Sequence, residues 1–165
     1  MSKYLTVVLI GLMLVSLNVE GQTNKDNLII KGDTALDKNY ELYTGVAYEL
    51  YKDTNRVLRE WTYVDGELTL LKFWYENGQL AFERTYKNGE LDGLWKEWYE
   101  NGQLQYEWNY KDGKTDGLHR MWYENGQLMY EENYKNGVED GLQRKWYKSG
   151  QLRYEENWKD GVQID

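Results

Sequence analysis

The tract W-Y-E-N-G-Q-L recurs unaltered from Trp74, Trp98 and Trp122, and returns from Trp146 as W-Y-K-S-G-Q-L. Each copy starts 24 residues after the one before. A fixed period of this size marks a repeat architecture, in which one small unit is copied and its copies stack. Repetition constrains the fold far more than it constrains the chemistry.

The tract also carries the local structure. Asn-Gly between strand-like residues is the strongest short-range hairpin signal, because a type I′ turn needs two residues with positive φ. Leu94–Glu100 is therefore predicted as a strand, Asn101-Gly102 as a two-residue turn, and Gln103–Tyr110 as the returning strand. Longer glycine turns such as Lys111–Gly117 join one hairpin to the next. Gly45–Tyr51 aligns with Gly93–Tyr99 two periods later, which makes five repeats from Tyr43 onward. The first is divergent, with one extra turn residue around Asp53-Thr54-Asn55, as expected of a terminal repeat. The fold expected is an elongated all-β antiparallel meander of stacked β-hairpins.

Register follows from the turn. With Glu100 opposite Gln103, Tyr99 faces Leu104, Trp98 faces Gln105 and Lys96 faces Glu107. The last pair recurs as Lys72–Glu83, Arg120–Glu131 and Arg144–Glu155, a basic residue against Glu each time; in the first repeat Tyr48 faces Glu60. Strand alternation then sorts the side chains. One face carries Tyr99, Leu104, Tyr106 and Tyr110, and is the expected inner surface of a curled sheet. The other carries Leu94, Lys96, Trp98, Glu107 and Asn109.

The pattern G-L-x-K-x-W-Y-E-N-G-Q-L-x-Y-E-x-N-Y-K-x-G resembles the bacterial variant of the MORN repeat, found in proteins often labelled YwqK-family antitoxins. The resemblance spans Tyr43 to Gly161. It implies stacked hairpins used for interaction or scaffolding, and the antitoxin label implies binding to a toxin protein.

Composition narrows the function. Net charge is −8, which argues against nucleic acid and anionic lipid as partners, since both call for basic patches. There is no cysteine, so no disulfide framework and no lipid-modified cysteine. Lys3, the apolar run Leu5–Val15 and the small residues Val19 and Gly21 have the layout of a secretory signal peptide cut before Gln22. The apolar run is shorter than the ~20 residues of a membrane span. Residues 1–21 are thus read as a leader, 22–42 as a flexible segment and cap, and 43–165 as the repeats. The expected location is secreted or at the cell envelope, periplasm included, with no membrane span after cleavage. Charges on the last predicted strand, Leu152–Trp158, discourage edge pairing and favour a monomer.

No catalytic group stands out. Past the leader there is one histidine, His119, and one serine, Ser149; they lie more than a repeat apart, on a strand and on a turn tip. Adjacent glutamates point to opposite faces of a strand, and the recurring ones already have basic partners. Asp92, Asp116 and Asp140 precede glycines, where a turn calls for Asp in any case, so neither a metal nor a cofactor is expected. Trp74, Trp98, Trp122 and Trp146 recur too faithfully to be recognition residues, and are read as holding neighbouring hairpins together. Gly78, Gly102, Gly126 and Gly150 serve the turns. Recognition is expected where the repeats disagree: Leu71/Trp95/His119/Gln143, Phe73/Glu97/Met121/Lys145 and Arg84/Trp108/Glu132/Glu156, all on the tyrosine face. Phe73, Trp95, Trp108, His119 and Met121 are the candidate binding residues. A protein partner is favoured, with polysaccharide stacked on the aromatic face as the alternative, and an intracellular toxin-binding role as a third.

Overall fold

The computed structural model describes residues 8–10, 29–31, 34–36, 40–52 and 54–164, and every regular element within them is a β-strand. In chain order these are β1 (Val8–Ile10), β2 (Ile29–Lys31), β3 (Thr34–Leu36), β4 (Gly45–Leu50), β5 (Val57–Val64), β6 (Glu67–Trp74), β7 (Leu80–Lys87) and β8 (Glu90–Trp98). They continue as β9 (Leu104–Lys111), β10 (Lys114–Thr115), β11 (Gly117–Trp122), β12 (Leu128–Lys135), β13 (Val138–Glu139), β14 (Gly141–Trp146), β15 (Leu152–Lys159) and β16 (Val162–Ile164). All sixteen belong to one sheet, and from β4 to β16 its main path follows chain order, as expected of a meander, with the short β10 and β13 off that path on β9 and β12. The predicted leader lies outside the described residues except for Val8–Ile10, which pair along Val46–Tyr48. Within the segment read as flexible, Ile29–Lys31 pairs with Thr34–Leu36.

The hairpin turn differs from the expected one. Asn101 is not among the residues with positive φ, whereas Gly102 is, at 83°. The Gly102 N–H donates to the Tyr99 carbonyl and the Tyr99 N–H to the Gln103 carbonyl, both at 2.8 Å. Glu100-Asn101-Gly102 is therefore a three-residue loop, a type I turn closed by a left-handed glycine. The same bonds recur at Tyr75, Tyr123 and Tyr147. Asn101 stays out of the left-handed region because its Oδ1 accepts the Gln103 N–H at 2.9 Å, an Asx turn.

The extra loop residue would slip the register by one, and a bulge restores it. Trp98 stands opposite Leu104 rather than Gln105, the ladder shifts between Glu97 and Trp98, and Lys96 meets Glu107 as expected. Lys72–Glu83, Arg120–Glu131, Arg144–Glu155 and Tyr48–Glu60 are likewise paired. The two errors, one in the loop and one in the strand, cancel before the charged pair is reached. Type I′ geometry does occur, but at the junctions between units: Asp65-Gly66, Asn88-Gly89, Asp112-Gly113, Asn136-Gly137 and Asp160-Gly161 all have positive φ at both residues.

Neighbouring units are tied by hydrogen bonds from the repeated tract. The hydroxyls of Tyr51, Tyr75, Tyr99 and Tyr123 donate to the carbonyls of Trp74, Trp98, Trp122 and Trp146, at 2.7–2.9 Å. Asn77, Asn101 and Asn125 donate their amides to the carbonyls of Glu100, Glu124 and Lys148. At the other edge, Asp92, Asp116 and Asp140 accept backbone N–H groups from Asp112, Asn136 and Asp160. Tyrosine rungs thus cross all four boundaries between the five repeats and asparagine rungs the last three, while at the other edge the aspartates tie successive junction turns from Asn88-Gly89 onward. The tryptophans enter these rungs through their backbone carbonyls.

The charged face continues the ladder between units. Glu60, Lys72 and Glu83 form one segment, with contacts of 3.9 and 3.7 Å. Lys96, Glu107, Arg120, Glu131, Arg144 and Glu155 form a second, with successive contacts of 3.2, 4.0, 3.0, 3.5 and 2.7 Å. Burial is modest, as suits a single sheet. The buried apolar cluster is Tyr43, Ala47 and Tyr63, against which Trp61 and Leu68 pack. The chain does not end its sheet at β15: β16 adds a short edge on which Val162 and Ile164 are exposed.

Candidate functional site

The side chains that vary between repeats lie side by side along the tyrosine face. Trp95 pairs with Trp108 and Glu97 with Tyr106. Met121 stands between Tyr106 on β9 and Tyr130 on β12, and His119 opposite Glu132. Tyr130 in turn faces Lys145. The described ring contacts follow this face: Phe73 on Phe82, Trp95 on Trp108 and Tyr110, Trp108 on Tyr106 and His119, and His119 on Tyr134.

Of the five candidate residues, four converge. Trp108, His119 and Met121, with Tyr106, Tyr130, Glu132 and Arg120, line an open depression of about 180 Å³, and Trp95 abuts it edge-on to Trp108 at 5.4 Å. This volume is well below the roughly 300–1,000 Å³ of pockets that enclose small molecules. Phe73 lies apart, stacked on Phe82 at 5.4 Å.

His119 is 6% exposed, and its Nε2 lies 3.0 Å from the Asn109 carbonyl. A carbonyl only accepts, so Nε2 carries the proton. Burial lowers the His119 pKa below the ordinary value, opposed by this hydrogen bond. Gln143 occupies the same position one repeat later, with its amide donating to the Asn133 carbonyl at 2.9 Å and its carbonyl accepting the Asn133 N–H at 3.2 Å. Both side chains stitch the irregular ladder that follows each junction turn. This shared backbone duty was readable in the substitution of His by Gln, since both present an N–H donor at similar reach.

The cations of this face lie outside the five candidates, although Arg84 and Lys145 stand at variable positions. The Arg84 guanidinium lies 4.4 Å from the Phe82 ring centre and 3.9 Å from that of Trp95, and reaches Glu97 at 3.3 Å. The Trp95 indole N–H donates to Glu97 at 2.9 Å. The Lys145 ammonium sits 4.2 Å from the Tyr130 ring centre and bonds its hydroxyl. Arg59 lies 5.6 Å from the Phe73 centre and 3.6 Å from Glu49. Tyr134 donates to Glu132 at 3.1 Å, and its pKa is pushed far above the usual tyrosine value by burial and then by the Glu132 charge.

Among the described residues no three His, Cys, Asp or Glu side chains converge as a metal site, and no helix is long and apolar enough to cross a membrane. The turn aspartates are occupied as backbone acceptors, and Asp140 also binds Lys159 at 2.7 Å.

The MORN repeat variant model matches residues 70–88, 91–112, 115–136 and 139–160. No curated protein matches the chain. Two solved structures align with low similarity. One is the GtfA/B complex bound to UDP and GlcNAc, at 16% identity and TM-score 0.26, over 81% of this chain and 27% of the other. The second is accessory secretory protein 1, 2 and 3 of Streptococcus pneumoniae, at 11% identity and TM-score 0.23, over 87% of this chain and 22% of the other. The chain therefore spans about a quarter of the length of either.

Proposed function

The chain belongs to the MORN repeat variant family, a non-catalytic repeat type, and from that premise we propose that it is an exported scaffold which binds a protein partner through its tyrosine face. The observation that carries this reading is a division of labour between constant and variable side chains. The constant Tyr, Asn and Asp of each repeat are spent on rungs to the next unit. The variable positions meet on one face as a strip of aromatic and charged side chains. Tryptophan, tyrosine and arginine dominate binding energy in protein interfaces, and that strip is rich in all three. An acidic chain whose tyrosine face carries an open depression of about 180 Å³ suits a macromolecular partner of basic character better than a small molecule.

Polysaccharide stacking is less well supported. Polysaccharide binding calls for open ring faces repeated along the sheet, yet Trp95 is covered by the Arg84 guanidinium and stacked on Tyr110. The toxin-binding reading requires the leader to be retained in the cytoplasm. Mass spectrometry of the protein from its producing cell tests export: a chain starting at Gln22 is expected, and a start at Met1 or Ser2 would overturn it. Interaction is tested by crosslinking pull-down from the native envelope with wild type and a W95A/W108A double variant. Loss of the captured protein from the folded variant is expected. Unchanged capture, with unchanged circular dichroism, would remove the tyrosine face from consideration.

A further inference from the structure

Among the described residues, the tyrosine face contains three places where the chain binds its own cation. Arg59 lies over Phe73 with Glu49 beside it. Arg84 lies over Phe82 and Trp95 with Glu97 beside it. Lys145 lies over Tyr130. The first two combine an aromatic ring with a carboxylate, the arrangement that attracts a guanidinium through the ring's negative face and the full charge together.

Between Arg84 and Lys145, on β9, β11 and β12, the same arrangement recurs; Lys145 lies on the Tyr130 ring at its margin, and no described cation lies over Trp108 or Tyr106. Tyr106, Trp108, Met121 and Tyr130 line the depression, and Glu132 brings a carboxylate to it. The position that holds Arg84 in its own repeat holds Trp108 and Glu132 here, and the position that holds Lys145 holds Met121. Glu132 accepts one hydrogen bond, from Tyr134, and is not in a described salt bridge. Arg120 also borders the depression, but its guanidinium is engaged on the opposite face with Glu131 at 3.0 Å and Glu107 at 4.0 Å.

We propose that this depression is a receptor site for an arginine side chain of a basic protein partner, with Trp108 and Tyr106 as the aromatic walls and Glu132 as the counter-charge. This rests on the interaction reading above and names the chemistry of the partner. Arginine is favoured over lysine because its flat guanidinium fits between ring and carboxylate as Arg84 does, whereas an ammonium is a compact and strongly hydrated charge. The thioether of Met121 supplies an adaptable floor. A site of 180 Å³ that is too small for a drug-sized ligand is large enough for one side chain tip.

The test uses the full chain labelled at methionine methyl carbons and titrated with the tripeptide Ac-Gly-Arg-Gly-NH2, against the same peptide bearing citrulline. The Met121 signal, assigned by its loss in M121L, is expected to move progressively at millimolar arginine peptide, while Met129 stays within error. Citrulline peptide should move it severalfold less. E132Q should weaken the response severalfold while leaving the spectrum of the free protein folded. A silent Met121, an equal response to citrulline, or an unchanged response in E132Q would overturn the site. A photo-crosslinking residue at Phe73, outside the depression, is read in parallel in the producing cell. Capture that free arginine amide abolishes supports the proposal. Capture that persists with Met121 silent keeps the interaction face and overturns the arginine site. Silence in both overturns the two together.

Discussion

Tyr99→Phe removes one oxygen and one rung. The Tyr99 hydroxyl donates to the Trp122 carbonyl at 2.8 Å across the boundary between two repeats, in a part-buried setting. A net hydrogen bond contributes about 1 kcal/mol, and an acceptor left without its donor away from water raises the cost, so Y99F should cost about 1–1.5 kcal/mol. With a urea dependence of roughly 2 kcal/mol per molar, the midpoint should fall by about 0.5 M. Tyr147 supplies the internal control. It is the same residue in the same tract, but it is 50% exposed and its hydroxyl has no described acceptor. Y147F should therefore move the midpoint by less than about 0.1 M on the same scale. The four rungs at Tyr51, Tyr75, Tyr99 and Tyr123 lie in successive boundaries and share no partner, so their costs should add. The quadruple phenylalanine variant then loses about 4–6 kcal/mol, comparable with the whole stability of a small domain. Equal midpoints for Y99F and Y147F would refute the rungs as the source of stacking energy.

Three further outcomes follow from the same geometry. Glu131 is gripped by Arg120 and Arg144 and is 20% exposed, so E131Q should cost about 0.5–1 kcal/mol in low salt and much less in 1 M NaCl, measured by urea titration. His119 has a folded pKa below its ordinary 6.5, so its contribution is full above that value and is lost as pH falls from 6.5 towards the folded pKa, because the unfolded chain takes up the proton first. H119Q keeps a donor for the Asn109 carbonyl, as Gln143 does for Asn133, and should remove this dependence, so that the wild-type minus variant difference in melting temperature declines as pH falls across that window. Gly126 has φ of 82°, and a Cβ there would lie 3.1 Å from the Gln103 amide oxygen, so G126A should cost about 1–2 kcal/mol by thermal unfolding.

The charged pairs and the meander were legible because alternation and opposite charge are local rules that survive a local error. Lys96 meets Glu107 although the turn between them was misjudged, since loop and bulge cancel. The turn itself was not legible from its dipeptide. Asn-Gly makes a type I′ turn at Asn88-Gly89 and closes a type I turn at Asn101-Gly102. What differs is the company: Asn101 is followed by a backbone N–H it can accept and faces a carbonyl of the next repeat it can donate to. The tyrosine rungs were hidden for a related reason. They join residues 23 apart, a spacing that neither helix nor strand periodicity exposes. Among the candidate binding residues, Trp108 and Met121 were found by their variability alone, whereas the filling of neighbouring sites by Arg84 and Lys145 needed the register of three strands at once.

The rungs also explain how one unit can be copied while its face changes. Tyr99 and Asn101 end on carbonyls, and Asp116 on an N–H, and every non-proline residue offers both. The stacking code therefore asks nothing of the side chains on the neighbouring repeat's tyrosine face. Ser149 stands where Asn supplies the lateral amide in the three preceding tracts, and serine has no amide to extend to a further unit. With stacking handled by backbone acceptors, Trp95, His119 and Gln143 can replace one another at a single position. Freedom of that kind is what a recognition surface needs. Around Trp108 and Glu132 that freedom has replaced the arginine held at position 84 by a tryptophan and a glutamate, the substitution on which the proposed arginine site rests.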